Sequence, residues 1–170
     1  FAVTRKLRKY GQVGFDDGPV ICVGNLTVGG VGKTPIVAEI RRRLAVRGMR
    51  SASLSRGYGG KLKGPHKVDC QSDVAIDVGD EPLMLSQSGE SWIGRDRGQT
   101  AAAMMKDGVE IIVMDDGFQN PSLYKDISFL VCDGPYGNGN GALIPAGPLR
   151  EPYFKAVRRA NGVVIIGQDT

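Results

Sequence analysis

Stretches of strand character alternate with helical periodicity along the chain. Strands are predicted at residues 20–23, 51–55, 92–93, 110–114, 127–132 and 163–166. Helices are predicted at about 34–47, 80–88 and 99–106, and after Pro152 through Arg159. Because strands and helices alternate, we expect an α/β fold with a mainly parallel sheet flanked by helices in three layers.

Other stretches are expected to lie at the surface. Four arginines within residues 41–47 fall on the polar side of the first long helix and are expected to be solvated. Residues 61–78 are polar and weakly patterned, which indicates a hairpin or a lid, and His66 within them is expected to be an exposed loop residue. Residues 134–147 form a long loop rich in glycine and asparagine, and loops of this length in compact domains are usually functional.

One stretch combines a strand, a glycine-rich loop and the start of a helix. In a phosphate-binding loop (P-loop), glycines let backbone N–H groups turn toward a phosphate, and the helix N-terminus adds partial positive charge. Lys33 then reaches the β- and γ-phosphates, and the Thr34 hydroxyl ligates Mg²⁺. The residues expected to surround the phosphates are Thr27, Val28, Gly29, Gly30, Val31, Gly32, Lys33 and Thr34.

This loop departs from the consensus G-x-x-x-x-G-K-[ST] at its first position. Thr27 stands where the consensus has glycine. The alternative interpretation is an ordinary glycine-rich turn before a helix. Because a strand precedes the loop and Lys33 and Thr34 follow it, the sequence favours nucleotide binding in a P-loop NTPase-like fold.

A second chemical signal is the acidic end of the predicted strand 110–114. Asp115 and Asp116 follow four apolar residues, as in the Walker B strand that accompanies a phosphate loop. Ligands gather at the carboxyl ends of parallel strands, so these two carboxylates should face Lys33 and Thr34. We expect one or both to hold Mg²⁺.

Size, charge and cysteine content narrow the class. A chain of 170 residues with 41% apolar residues suits one soluble domain. The net charge of +4 makes anionic ligands plausible but does not imply nucleic acid. Three scattered cysteines without a C-x-x-C pair indicate a reducing, cytosolic compartment. The chain shows neither a signal-peptide pattern nor a run of about 18 apolar residues.

The N-terminal part is predicted to be a separate segment. Residues 1–10 place Val3, Leu7 and Tyr10 on one helical face with basic residues around the other, and residues 11–19 form a linker. Such a segment either lies on an anionic membrane surface or packs on the domain with solvated charges. We therefore divide the chain into residues 1–18, a basic amphipathic remnant with its linker, and residues 19–170, the nucleotide-binding core. The first residue is not methionine and an apolar run precedes the last, which predicts a fragment.

The order of several motifs resembles one family, the tetraacyldisaccharide 4′-kinases of lipid A biosynthesis. The motifs are TVGGVGKTP at 27–35, SRGYG at 55–59, VGDEP at 78–82, GRDR at 94–97, MDDGFQ at 114–119, GNGNG at 137–141 and PAGPLREP at 145–152. Thr27 in place of glycine is also a feature of this family. The resemblance implies ATP and Mg²⁺, a lipid A disaccharide precursor phosphorylated at its 4′-hydroxyl, and work at the cytoplasmic face of the bacterial inner membrane. It favours the membrane-surface interpretation of residues 1–10.

The same resemblance suggests roles for further residues. Asp80 matches the family's candidate catalytic base, although it could also simply cap a helix N-terminus. Gln119 and Arg150 are expected near the nucleotide, and Glu151 near the metal, although glutamate also suits the first turn of a helix. The candidates for contacts with the lipid substrate are Arg56, Arg97, Asn138 and Asn140. His66 does not match the family's histidine partner of the base.

Three other classes of protein compete with the kinase interpretation. A regulatory ATPase of the deviant phosphate-loop type carries a lysine where this chain has Val28. A GTPase would need an Asn-Lys-x-Asp motif, which the chain lacks. A non-enzymatic nucleotide-binding module would not need Asp80 or the Gly/Asn loop. The kinase interpretation accounts for more of the sequence than any of these. The sequence leaves the oligomeric state open.

Overall fold

The computed structural model describes residues 18–167, and seven strands within them form a single sheet. The strands are β1 (Val20–Gly24), β2 (Ser51–Ser55), β3 (His66–Lys67), β4 (Ser91–Ile93), β5 (Ile111–Asp115), β6 (Ile127–Asp133) and β7 (Gly162–Ile166). The helices are α1 (Lys33–Val46), α2 (Ala75–Val78), α3 (Asp80–Gln87), α4 (Arg97–Lys106) and α5 (Tyr153–Val157).

The sheet is parallel except at one edge. Its strand order is β3-β4-β2-β5-β1-β6-β7, and β3 alone among the described strands runs antiparallel to its neighbour, β4. Strand β1 lies between β5 and β6, with Val23 in register with Asp115. The end of β5 therefore lies beside the loop that leaves β1.

Helices cover both faces of the sheet. On one face Met104 of α4 and Ala156 of α5 pack against Leu54, Ile112 and other buried strand residues. On the other face Val37 of α1 and Leu85 of α3 pack against strand residues that include Val23, Val113 and Val131. Neighbouring residues of a strand point to opposite faces, so a strand covered on both sides is apolar at consecutive positions. The predicted three-layer α/β fold is confirmed.

Most predicted elements lie within two residues of the observed ones. α1 ends where Gly48, with a φ of +74°, follows its last turn, as expected of a glycine that stops a helix. The final helix is shorter than predicted and ends at Val157. The stretch 61–78 contains the short edge strand β3 and the one-turn helix α2. It is not a hairpin, because β3 pairs with the distant β4 and not with a strand of the same stretch.

Two surface predictions are wrong. Arg41 is a buried residue of α1, whereas its neighbour Arg42 on the same helix is exposed. His66 is half-buried on β3, and its Nε2 atom lies 2.7 Å from Oδ2 of Asp73, so it belongs to a paired contact and not to a free loop. In each case a polar partner supplied by another part of the chain draws the side chain inward.

The prediction for residues 1–10 lies outside the described residues. Within residues 18–167, no helix combines the length and apolar character that crossing a bilayer requires.

Candidate active site

A cavity of about 860 Å³ lies at the carboxyl ends of β1, β2 and β5. Many of the residues singled out in the sequence line it, namely Val28, Gly29, Gly30, Lys33, Arg56, Asp80, Arg97, Asp115, Asp116, Gln119 and Arg150. The predicted meeting of the glycine loop and the acidic strand end is therefore found. Four predicted loop residues, Thr27, Val31, Gly32 and Thr34, lie outside the lining of the cavity.

The phosphate loop, residues 27–34, holds Lys33 at the floor of the cavity. Only 7% of Lys33 is exposed, and its Nζ donates a hydrogen bond of 3.1 Å to Oδ1 of Asn25. The same ammonium lies 3.6 Å from Oδ1 of Asp116. Asn25 was missed in the sequence, although a polar residue placed directly after a buried strand is a signal of a functional loop. It is fully buried, and its amide Nδ2 also donates to the carbonyl of Thr27.

The first part of the loop is paired like a strand. Thr27 pairs antiparallel with Leu149, with hydrogen bonds from the N–H of Val28 to Pro148 and from the N–H of Arg150 to Leu26. Thr27 is buried and has no positive φ, so glycine is not needed at this position and a β-branched residue suits it. This pairing explains the departure from the consensus.

Asp115 is a buried carboxylate without a hydrogen-bond partner. Only 2% of it is exposed, and within residues 18–167 neither carboxylate oxygen accepts a hydrogen bond. Burial raises the pKa of Asp115 to about 7, helped by the negative charge of Glu81 and opposed by Lys33. A desolvated, unpartnered carboxylate at the wall of a cavity is suited to bind a cation.

Asp116 has different surroundings from Asp115. Nη1 of Arg150 donates to both of its carboxylate oxygens at 3.0 Å, and Lys33 lies nearby. Its φ of +50° is unusual for a residue other than glycine, and such backbone conformations cluster at functional sites. Asp116 is thus already neutralised by two cations, and Asp115 is the carboxylate left available for a metal.

Asp80 is the first residue of α3 and is exposed to the cavity. The N-cap position belongs to Gly79, whose φ of +92° favours glycine. The capping role considered for Asp80 is therefore wrong. Its neighbour Glu81 also lines the cavity and was missed as a site residue.

Arginines line another part of the cavity, namely Arg56, Arg95 and Arg97. Arg97 is almost fully buried, and its Nη1 donates to the carbonyl of Gly94 while its Nε has no partner in the described part of the chain. Burial and the neighbouring charge of Arg56 lower the pKa of Arg97 to about 10. Such a cluster of positively charged side chains is suited to bind an anion. Arg95 and the exposed Tyr58 were not predicted as site residues.

The other predicted residues are not part of the cavity lining. The Asn140 side chain bonds within its own loop, donating to Ala146 and accepting from Ala142. Asn138 does not line the cavity either. Glu151 accepts hydrogen bonds from Arg159 at 2.6 and 2.7 Å and from Gln119 at 3.2 Å, so its carboxylate is occupied by side chains. Asn138, Asn140 and Glu151 therefore do not line the cavity, although Glu151 borders it through its contact with Gln119.

A family model described as tetraacyldisaccharide-1-P 4′-kinase matches residues 3–170. The chain belongs to the tetraacyldisaccharide 4′-kinase family. This confirms the resemblance drawn from the sequence motifs.

Individual members of the family support the assignment. The tetraacyldisaccharide 4′-kinase of Hyphomonas neptunium is 54% identical over 149 residues, which cover 88% of this chain and 45% of that protein. The tetraacyldisaccharide 4′-kinase of Maricaulis maris is 48% identical over 171 residues, which cover 99% of this chain and 50% of that protein. A crystal structure described as "apo" form LpxK from Aquifex aeolicus in complex with ATP matches with a TM-score of 0.79 and 33% identity, covering 94% of this chain and 51% of that one. The chain spans about half the length of these relatives.

Proposed function

We propose that this chain forms the nucleotide-binding part of a kinase that transfers the γ-phosphate of ATP to the 4′-hydroxyl of a tetraacylated glucosamine disaccharide 1-phosphate. The observation that carries the proposal is the convergence of Lys33, Asp115 and Asp80 on one cavity in a member of this family. The Aquifex relative, described in complex with ATP, supports ATP as the phosphate donor.

The phosphate loop and Lys33 bind the triphosphate. Gly29 and Gly30 are exposed at the cavity, where backbone N–H groups can approach phosphate oxygens, and α1 begins directly after the loop. Lys33 stands at the helix start with its ammonium already fixed by Asn25. Its charge stabilises the negative charge that spreads over the transferring phosphate.

Asp115 is the proposed protein carboxylate ligand of Mg²⁺. The Thr34 hydroxyl, which lies outside the lining of the cavity, is proposed beside it because it directly follows Lys33 in the phosphate-loop pattern. Mg²⁺ is bound in such sites by one or two carboxylates together with substrate phosphates, and not by a cage of protein ligands alone. This fits the residues at hand, since residues 18–167 contain no cluster of three or more His, Cys, Asp or Glu side chains suited to a metal, but do contain the unpartnered Asp115. When bound, Mg²⁺ neutralises charge on the phosphates.

Asp80 is the proposed general base. Its carboxylate accepts the proton of the 4′-hydroxyl while that oxygen attacks the γ-phosphorus, and the bond between the γ-phosphorus and the bridging oxygen of ADP breaks. Support comes from its exposed position on the cavity at the start of α3. His66 is paired with Asp73 on the edge strand and is not proposed as its partner.

The arginine cluster of Arg56, Arg95 and Arg97 is proposed to bind a phosphate group of the substrates. The lipid's 1-phosphate is a dianion, and arginine forks recognise phosphate through paired hydrogen bonds. A lipid substrate also places the protein at a membrane, and the proposed location is the cytoplasmic face of the bacterial inner membrane. The proposed contact of residues 1–10 with an anionic membrane surface rests on their charge pattern.

The proposal is tested by incubating the full-length protein with γ-labelled ATP, Mg²⁺ and the tetraacyl disaccharide 1-phosphate. We expect label to enter the lipid, and Lys33→Ala to lower kcat by about 10²–10³-fold. The exposed Lys106→Ala on α4 serves as the control and should behave as the unmutated protein. ATP hydrolysis without labelled lipid would contradict the proposal, and stimulation of that hydrolysis by a protein would favour a regulatory ATPase.

A further inference from the structure

Arg41 is a buried cation in the third turn of α1, outside the lining of the cavity. Only 3% of it is exposed, whereas Arg42 and Arg43 on the same helix are solvated and pair with Glu39. Desolvating a guanidinium costs free energy, and an apolar side chain would fill the same place without that cost. The burial of Arg41 therefore needs an explanation in the contacts that it makes.

The guanidinium of Arg41 joins three elements of the fold. Nη1 donates to Oγ of Ser53 on β2 at 2.9 Å. Nη1 and Nη2 both donate to the carbonyl oxygen of Leu85 on α3, at 3.2 Å each. One side chain of α1 thus fixes both a central strand and the neighbouring helix.

The Leu85 carbonyl is a natural acceptor for this cation. It lies in the last turn of α3, where the helix dipole is negative, and besides the guanidinium it accepts the backbone N–H of Ser88 at 3.2 Å and the Ser88 hydroxyl at 3.1 Å. Gly89, just beyond the helix, leaves room for the guanidinium, because a Cβ atom there would lie 2.4 Å from Nη2 of Arg41. The end of α3 is therefore shaped around Arg41.

The two helices joined by Arg41 both begin at the cavity. α1 starts at Lys33, about 12 Å along the helix from Arg41, and α3 starts at Asp80, about 7.5 Å from Leu85. Both helices pack on the same face of the sheet. The position of Asp80 relative to the phosphate loop thus depends on how the two helices are held together behind it.

We propose that Arg41 is a positioning residue, which fixes α3 against α1 and so holds the carboxylate of Asp80 at the correct distance from the phosphate bound by Lys33. The inference rests on the proposed function. A displacement of about 1 Å in a catalytic group costs on the order of 100-fold in rate, so the effect is measurable in turnover.

The test compares Arg41→Met with Arg43→Met, the same change at an exposed position of the same helix, in the full-length protein. We expect Arg41→Met to lower kcat by about 10- to 100-fold and to leave the Kd for ATP within about threefold, because the phosphate loop is not displaced. Arg43→Met should match the unmutated protein. Arg41→Lys should recover only part of kcat, since a single ammonium cannot make the paired contacts.

A double-mutant cycle separates positioning from general structural damage. If Arg41 acts through Asp80, then Arg41→Met added to Asp80→Asn should lower kcat by less than about twofold further. The same fold loss in both backgrounds would overturn the inference, as would a loss of ATP affinity equal to the loss of kcat. If Arg41→Met does not fold, Ser53→Ala decides the question. Ser53→Ala removes the hydroxyl that accepts from Nη1 of Arg41. It should lower kcat severalfold in the protein that retains Asp80, but not in the Asp80→Asn variant.

The two proposals can fail separately. Absence of lipid phosphorylation by the unmutated protein would refute the proposed function, and this inference with it. Normal phosphorylation that is unchanged in folded Arg41→Met and Ser53→Ala would refute the inference alone.

Discussion

The two aspartates at the end of β5 are neighbours in the sequence but differ in their surroundings. Arg150 and Lys33 neutralise Asp116, whereas Asp115 is buried and accepts no hydrogen bond from any residue that the structure describes. Two adjacent carboxylates in one site cannot both be ionised without cost unless cations lie between or near them. In this site Asp116 has its cations in the protein, which is why Asp115 is the carboxylate that we propose for Mg²⁺.

This difference predicts a pH-dependent stability in the metal- and nucleotide-free protein. The pKa of Asp115 is about 7 when folded and about 3.9 when unfolded, so the folded state binds the proton more tightly. Stability should therefore fall as pH rises from about 4 to 7 and level off above that. Asp115→Asn should remove this component, of order 1–4 kcal/mol, and should be the more stable protein at pH 8.

Urea unfolding in EDTA at pH 5 and pH 8 measures this effect. The informative quantity is the difference between Asp115→Asn and the unmutated protein at each pH, because other titrating groups are common to both. A difference that does not change with pH would show that Asp115 ionises normally. Asp115→Asn should also weaken the binding of Mg²⁺–ATP.

The proposed role of Asp80 predicts a separation of binding from turnover. Asp80→Asn keeps the size of the side chain but cannot accept a proton, so kcat should fall by about 10²–10⁴-fold. The Kd for Mg²⁺–ATP should change little, since Asp115 and the phosphate loop are untouched. Calorimetric titration with a non-hydrolysable ATP analogue checks this. Loss of Mg²⁺–ATP binding would make Asp80 a metal ligand and not the base.

At the scale of elements, the phosphate loop is tied to the segment that follows the long Gly/Asn loop. Thr27 pairs with Leu149, and Leu149 in turn pairs with Leu143. The Arg150 side chain then reaches Asp116 from the same segment. The long loop thus contributes to the site through the strand-like pairing of its end, and Asn140 serves to hold its shape.

Restoring the consensus glycine should therefore harm the protein. Thr27→Gly places a flexible residue in a buried, strand-like position, and we expect a loss of roughly 1 kcal/mol in the free energy of unfolding and no gain in ATP affinity. The matched change Gly29→Ala acts where φ is +113°, and it should disturb ATP binding. Denaturant unfolding and ATP titration distinguish the two variants. Tighter ATP binding by Thr27→Gly would contradict the role given to the pairing.

The elements that the sequence predicts well are those with strong local signals. Strand β5 is a continuous apolar run, and α1 has a clear apolar stripe between a glycine loop and Gly48. The burial of Arg41 could not be predicted, because its partners Ser53 and Leu85 come from distant elements. Helical periodicity gives the face on which a residue lies, but not the contacts that the end of a long side chain makes. Glu151 illustrates the same limit, since its partner Arg159 lies beyond α5 and their contact depends on the path of the chain between them.

At the scale of the molecule, the sheet couples the site to the core. β1 is a central strand and leads directly into the phosphate loop, and Cys22 within it is fully buried. Burial raises the pKa of the Cys22 thiol to about 12, so in the folded protein it is neither accessible nor ionised at neutral pH. Cys70 is exposed. The two thiols therefore report on different events, local access for Cys70 and opening of the sheet for Cys22.

This arrangement predicts that ATP protects Cys22 selectively. A thiol reagent at pH 8 should modify Cys70 quickly and Cys22 only when β1 opens. A ligand that binds only the folded state lowers the open population by a factor of 1 + [L]/Kd, so Mg²⁺–ATP at 100 Kd should slow labelling of Cys22 by about 100-fold. Cys70 should be unaffected. Because Cys132 is partly exposed, Cys22 is measured in a variant with Cys70→Ser and Cys132→Ser, and Lys33→Ala serves as a control in which ATP protects less. Equal protection of both thiols would instead indicate that the nucleotide acts on the reagent, and the coupling of the site to the core through β1 would be wrong.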